Sequence, residues 1–183
     1  MSKQRDSILA IFDENQIKSM AEDAAYIAKS ILQIGWIDHS ITLIDKPRIK
    51  YDALINLQTN EIQINLGKLK PLPENCFKNT CTVKYRLLLA IYEDVYHEVR
   101  HSYQKLAIQA YYEEWPFQFE NKETCMLWLK DLNTEKSEIC EADANDFAYY
   151  LVHRFPIRKP MVTRNRKLNR LKKRYDMIDL PAK

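Results

Sequence analysis

The sequence predicts an α+β domain. Three observations carry that expectation. Apolar residues recur at three- and four-residue steps in the first 34 residues and again across the second half of the chain. Between residues 54 and 66 the period shortens to two. No internal repeat or low-complexity segment interrupts this order of helix, small sheet, helix and helix. With 183 residues, 46% hydrophobic, the chain can bury a core without disulfide staples. Only 2 glycines, against 17 Phe and Tyr, exclude a collagen-like or disordered chain. Residues 1–153 are expected to form the domain, and residues 154–183 a basic C-terminal arm.

The elements follow in order. Ile8, Ile11, Phe12, Ile17, Met20, Ala24, Ile27, Ile31 and Ile34 make one apolar stripe, which predicts a helix from Ser7 to Ile34, stopped by Gly35. Ile41–Ile44 reads as a strand. Leu54–Leu57 and Glu61–Leu66 read as a hairpin around Gln58-Thr59-Asn60, giving a small antiparallel sheet. Ile62, Ile64 and Leu66 would face the core, and Glu61, Gln63 and Asn65 the solvent. Pro71 and Pro73 mark a loop, and Thr82 to about Ala110 reads as one long helix. Trp115-Pro116 breaks the chain before a short helix from Thr124 to Leu132. A last helix from Glu135 to about His153 ends at Phe155-Pro156.

The formal net charge of +3 is unevenly placed. Residues 154–175 hold 10 Lys/Arg and no Asp/Glu, whereas residues 1–153 hold 17 Lys/Arg and 23 Asp/Glu. An acidic body therefore carries a basic arm. Leu168, Leu171, Tyr175 and Ile178, at three- and four-residue steps, predict a basic amphipathic helix there. A docked surface helix explains it most simply, ahead of nucleic-acid binding through residues 164–175 or an anionic membrane surface. No run of 18 apolar residues predicts a transmembrane helix. Asp13, Glu14 and Lys18 interrupt any signal sequence, so a cytoplasmic location is expected. Cys76, Cys81, Cys125 and Cys140 form no Cys-x-x-Cys and are expected as reduced thiols, in preference to a Cys76–Cys81 disulfide.

Two of the 4 histidines fall in His97-Glu98-Val99-Arg100-His101, within the predicted long helix. The i, i+4 spacing sets both imidazoles on one face, where they can share a metal ion. Glu98 sits one step around the helix, within reach of a water at that ion and clear of the ligand positions. A catalytic zinc takes a third protein ligand. His39 precedes the sheet and is poorly placed, and His153 is a second candidate. Glu141 is preferred, because Ala144, Asn145 and Ala148 share its helix face and allow close approach. Glu138, Asp143 and Asp146 read as solvated surface.

Together these motifs resemble the glutamate-zincins, whose third ligand follows on a second helix in a Glu-x-x-Ala/Ser-Asp pattern. Here the corresponding run is Glu141-Ala142-Asp143-Ala144-Asn145, with Asn145 where the family has an aspartate that orients a histidine ligand. An asparagine carbonyl accepts the imidazole proton without adding charge. Within the class the chain is similar to the ImmA/IrrE family of small bacterial and phage metallopeptidases. Ala144-Asn145-Asp146-Phe147-Ala148 and the hairpin at residues 60–65 carry that resemblance, which covers roughly residues 50–153. Arg100 stands where the family has glycine, and is expected to face Asp94, Glu141 or the substrate.

The resemblance implies a minimal zincin-like domain. In it His97, His101 and Glu141 hold Zn²⁺ or another divalent metal, and Glu98 activates water against a peptide bond of a specific protein partner. Tyr103, Tyr149, Tyr150 and His153 are the candidate oxyanion donors, Tyr150 and His153 foremost, and an exposed sheet edge would align the peptide. The alternative is a metal-containing regulatory or nucleic-acid-binding module with little proteolysis. Among the aromatic residues from Tyr111 to Phe119, Trp115 is the one expected at the rim of a substrate cleft.

Overall fold

The computed structural model describes residues 2–76, 82–114, 120–132 and 137–154. Cys81, the side chain of Cys76, Trp115 and the basic arm with residues 164–175 lie outside the described residues. The chain runs α1 (Lys3–Leu9), α2 (Glu14–Leu32), β1 (Ser40–Ile44), β2 (Ala53–Asn56), β3 (Glu61–Asn65), a short turn of helix at Glu74–Cys76, α3 (Val83–Tyr112), α4 (Lys122–Leu132) and α5 (Glu138–Tyr149). A wider helical turn, Tyr150–Arg154, follows α5. The architecture is mixed, with a small sheet beside a helical layer, in keeping with an α+β chain.

The predicted N-terminal helix is in fact two. Asp13 starts α2 with a reciprocal cap: its carboxylate accepts the Gln16 amide at 2.8 Å, and the Gln16 side chain accepts the Asp13 amide at 3.0 Å. The apolar stripe continues across the break because Ile8, Phe12 and Ile17 bury toward the same core. Gln33, not Gly35, ends α2. Its φ of 57° turns the chain left-handed while the Ile34 amide donates back to the Lys29 carbonyl at 3.0 Å, and buried Ile34 locks the turn.

The hairpin β2–β3 is antiparallel as predicted, with Ile55 opposite Ile62. The sheet as a whole is not. β1 pairs with the other side of β3 and runs parallel to it, Ile41 opposite Ile62, giving the order β1-β3-β2. Buried Ile34 and Ile37 fix the end of the preceding segment and deliver β1 beside Glu61, so it must run in the direction of β3.

Alternation fails at Asn65, which is fully buried rather than solvent-facing. Its carboxamide accepts the amides of Lys46 (3.0 Å) and Gly67 (3.2 Å) and donates to the carbonyls of Lys46 (3.0 Å) and Tyr51 (3.2 Å). One side chain thus pins the whole β1–β2 loop. Asn65→Ala leaves these buried groups unpaired, and is expected to cost about 2–4 kcal/mol, read as a lower midpoint in urea unfolding.

α3 begins where Thr82 caps it, its hydroxyl accepting the Tyr85 amide at 3.2 Å. Its 30 residues form the axis of the molecule, in contact with α2, α4, α5, β2 and β3. Because partners surround it, most of its middle is buried, Glu98, Arg100, Ser102 and Gln104 with Val95 and Val99, while the face of Asp94, His97 and His101 stays partly open. Cys125 and Cys140 are free buried thiols, as predicted. Among the described residues no helix is long and apolar enough to cross a membrane.

Candidate metal centre

α3 presents His97 and His101 one turn apart, and α5, packed against it, brings Glu141 to the same point. The two Nε2 atoms lie 2.9 Å from each other. Glu141 Oε2 is 3.2 Å from His97 Nε2, and its Oε1 is 3.3 Å from His101 Nε2. Tetrahedral coordination with bonds of about 2.05 Å sets ligand atoms about 3.3 Å apart, and these separations of 2.9, 3.2 and 3.3 Å, with one Glu141 oxygen toward each histidine, lie at or just below that. Two imidazole nitrogens and a carboxylate are a donor set suited to zinc and to other divalent first-row metals.

The imidazoles are oriented from behind. Gln104 donates through Nε2 to the Cys140 carbonyl (2.9 Å) and to Asp143 Oδ2 (2.7 Å). Two acceptors on that side fix the amide's direction, so Oε1, 2.9 Å from His101 Nδ1, accepts a proton from the ring. The Nε2 lone pair of His101 then faces Glu141. Asn145 hydrogen-bonds His97. Burial and the neighbouring His101 push the pKa of His97 down, against opposition from Glu141 and Asn145, which favours the neutral, ligating form.

Glu98 is buried beside this trio, and its carboxylate accepts the backbone N–H of Ile55 on β2. Burial, helped by the charge of Glu141, raises its pKa to about 8. Glu98 and the trio open on one cavity of about 440 Å³. Its opposite wall is Ala53, Leu54, Ile55 and Leu57, along β2, the strand that lies at one edge of the described sheet.

Several expectations change. Tyr150 and His153 do not line the cavity. His153 Nε2 lies 3.9 Å from Glu93, and its ring stacks on Tyr149, centroids 4.1 Å apart. Tyr103 donates to Glu120 at 3.2 Å, on another side of α3. Arg100 faces neither Asp94, Glu141 nor the cavity. Its Nε and Nη2 meet the two oxygens of Asp143 at 2.7 and 2.9 Å, so Asp143 is an ion-pair partner rather than a solvated surface group. His39 contacts Ser102 Oγ at 2.9 Å, away from the trio, and burial, with the charge of Lys29, pushes its pKa down to about 4.

Sequence reasoning missed Tyr51, Asp52 and Asp94 in the cavity wall, and Gln104 behind His101. Asp94 and Gln104 were within reach of helical spacing, since each lies three residues from a motif histidine. Tyr51 and Asp52 come from a loop whose path no spacing rule gives. No family model, curated protein or solved structure matches the chain.

Proposed function

We propose that the chain is a zinc-dependent metallopeptidase with a minimal zincin-like domain, acting on a peptide bond of a protein or peptide partner. One observation carries this reading: Nε2 of His97, Nε2 of His101 and the Glu141 carboxylate converge, with the Glu98 carboxylate beside them, on a single cavity. His97, His101 and Glu141 would hold the ion. When bound, zinc supplies a Lewis acid that polarises a carbonyl and acidifies water.

The rest is the work of the chain's own groups. Glu98 takes a proton from the attacking water at its carboxylate and returns it to the leaving amine. The Ile55 amide holds the carboxylate in place. The outer edge of β2 offers backbone groups along the cavity, on which an extended peptide can align by strand addition.

The test is metal content. Full-length protein purified without chelator is expected to carry about one equivalent of zinc, and His101→Ala to lose it on dialysis. Less than about half an equivalent in the native protein overturns the proposal.

A further inference from the structure

Asp94 lies on α3 one turn before Glu98 and three residues before His97, and it lines the same cavity. Asp52 reaches that cavity from the loop that Asn65 pins, its carbonyl accepting the Asn65 amide at 2.7 Å. The described lining therefore holds the carboxylates of Asp52, Asp94, Glu98 and Glu141, two imidazoles, and no lysine or arginine. A divalent ion at the trio would be neutralised first by Glu141, which leaves the Asp52–Asp94 end acidic and without a cation of its own in the described lining.

Asp94 is half-buried, and its Oδ2, turned away from solvent, has no hydrogen-bond partner among the described residues. A buried carboxylate oxygen without a donor is costly, and folded proteins keep few of them. Burial and repulsion from Asp52, Glu98 and Glu93 hold its pKa well above the usual range, as expected of an acid without a counter-charge. Lys68 and Lys70 act on Asp52 from outside the cavity, but burial outweighs them and its pKa is also raised. The lining also holds Ala53, Leu54 and Ile55, an apolar stretch that follows Asp52 directly in the chain. An apolar track ending in carboxylates complements a long aliphatic stem ending in a positive charge.

We infer that the Asp52–Asp94 end of the cavity is a specificity subsite for a lysine or arginine side chain of the substrate, next to the scissile bond. The inference rests on the metallopeptidase reading and names its substrate class.

The test uses the full-length chain, its zinc content first measured by equilibrium dialysis. It is then titrated calorimetrically with Nα-acetyl-arginine hydroxamate and with its neutral isostere, Nα-acetyl-citrulline hydroxamate. Both chelate zinc through the hydroxamate, and they differ in side-chain charge. The arginine compound is expected to bind at least about tenfold more tightly, or about 1.4 kcal/mol. Asp94→Asn is expected to cut that preference below about threefold and to leave the citrulline compound unaffected, with Asp52→Asn acting in the same direction. Equal affinity of the native chain for the two compounds overturns the subsite and leaves the metallopeptidase reading standing. A chain that holds no zinc overturns both. A second equivalent of zinc that disappears in Asp94→Asn overturns the subsite, because the carboxylates would then serve a metal.

Discussion

For the proposed metallopeptidase, Glu98→Gln is expected to retain an equivalent of zinc and to lose peptide hydrolysis by about 10²–10⁴-fold. The glutamine amide has the shape of the carboxylate and can still accept the Ile55 N–H that Glu98 accepts. It cannot take a proton from water. Glu98 is not among the three converging ligand groups, so the donor set is untouched. The substitution also replaces a buried carboxyl, 6% exposed and with its pKa raised to about 8, by a neutral amide of the same shape. Thermal stability should therefore hold or rise, which separates a chemical defect from a folding defect. Zinc analysis, melting and turnover of a degenerate quenched-fluorescent peptide pool measure the three quantities. A variant that loses zinc along with activity would make Glu98 a ligand and end its assignment as general base.

The parts of this site that the sequence made legible are the local ones. His97, Glu98 and His101 follow from i, i+4 geometry on one helix, and Thr82 announces where that helix starts. The hairpin likewise needs only the turn at Gln58-Thr59-Asn60, where Asn60 takes the left-handed φ of 55°. Glu141 was reached because its helix face is small, and Ala144 and Ala148 are indeed buried against neighbouring elements.

The misses are either long-range or rotational. Tyr150 is nine residues beyond Glu141, and at about 100° per residue that is the opposite side of the helix. The wider turn at Tyr150–Arg154 then shifts His153 off the helical register altogether. The direction of β1 depends on where α2 delivers it, which the alternation of β1 itself does not encode. Asn65 sits at an outward position of its strand, yet the β1–β2 loop folds over it, and a two-residue period carries no information about a covering loop. Arg100 and Asp143 are 43 residues apart; in the sequence Arg100 stands out but is matched with Asp94, Glu141 or substrate, and Asp143 reads as solvated surface.

That pair carries the second large effect. Arg100 is 7% exposed along its side chain and is surrounded by the rings of Tyr103, Trp128 and Phe147, at 4.6, 5.4 and 5.4 Å from its guanidinium. Glu120 is farther away, 3.8 Å, so Asp143 supplies most of the compensation. Asp143→Leu strands the cation and is expected to destabilise the protein by about 3–5 kcal/mol in urea unfolding. The double variant Arg100→Met, Asp143→Leu is expected to recover most of that loss, because a thioether packs well among the same aromatic rings.

Zinc affinity should not recover with it. Asp143 also accepts from Gln104, the residue whose Oε1 sets the tautomer of His101 and whose Nε2 holds the carbonyl of Cys140, next to Glu141. Removing the carboxylate loosens that amide in both variants, and losses of this kind weaken metal binding by about 10–100-fold. A double variant that regains stability yet binds zinc about 10–100-fold more weakly means that Asp143 orients the metal ligands. If zinc affinity returns in step with stability, the ion pair serves only to join α3 to α5, and Gln104 holds His101 through the Cys140 carbonyl alone.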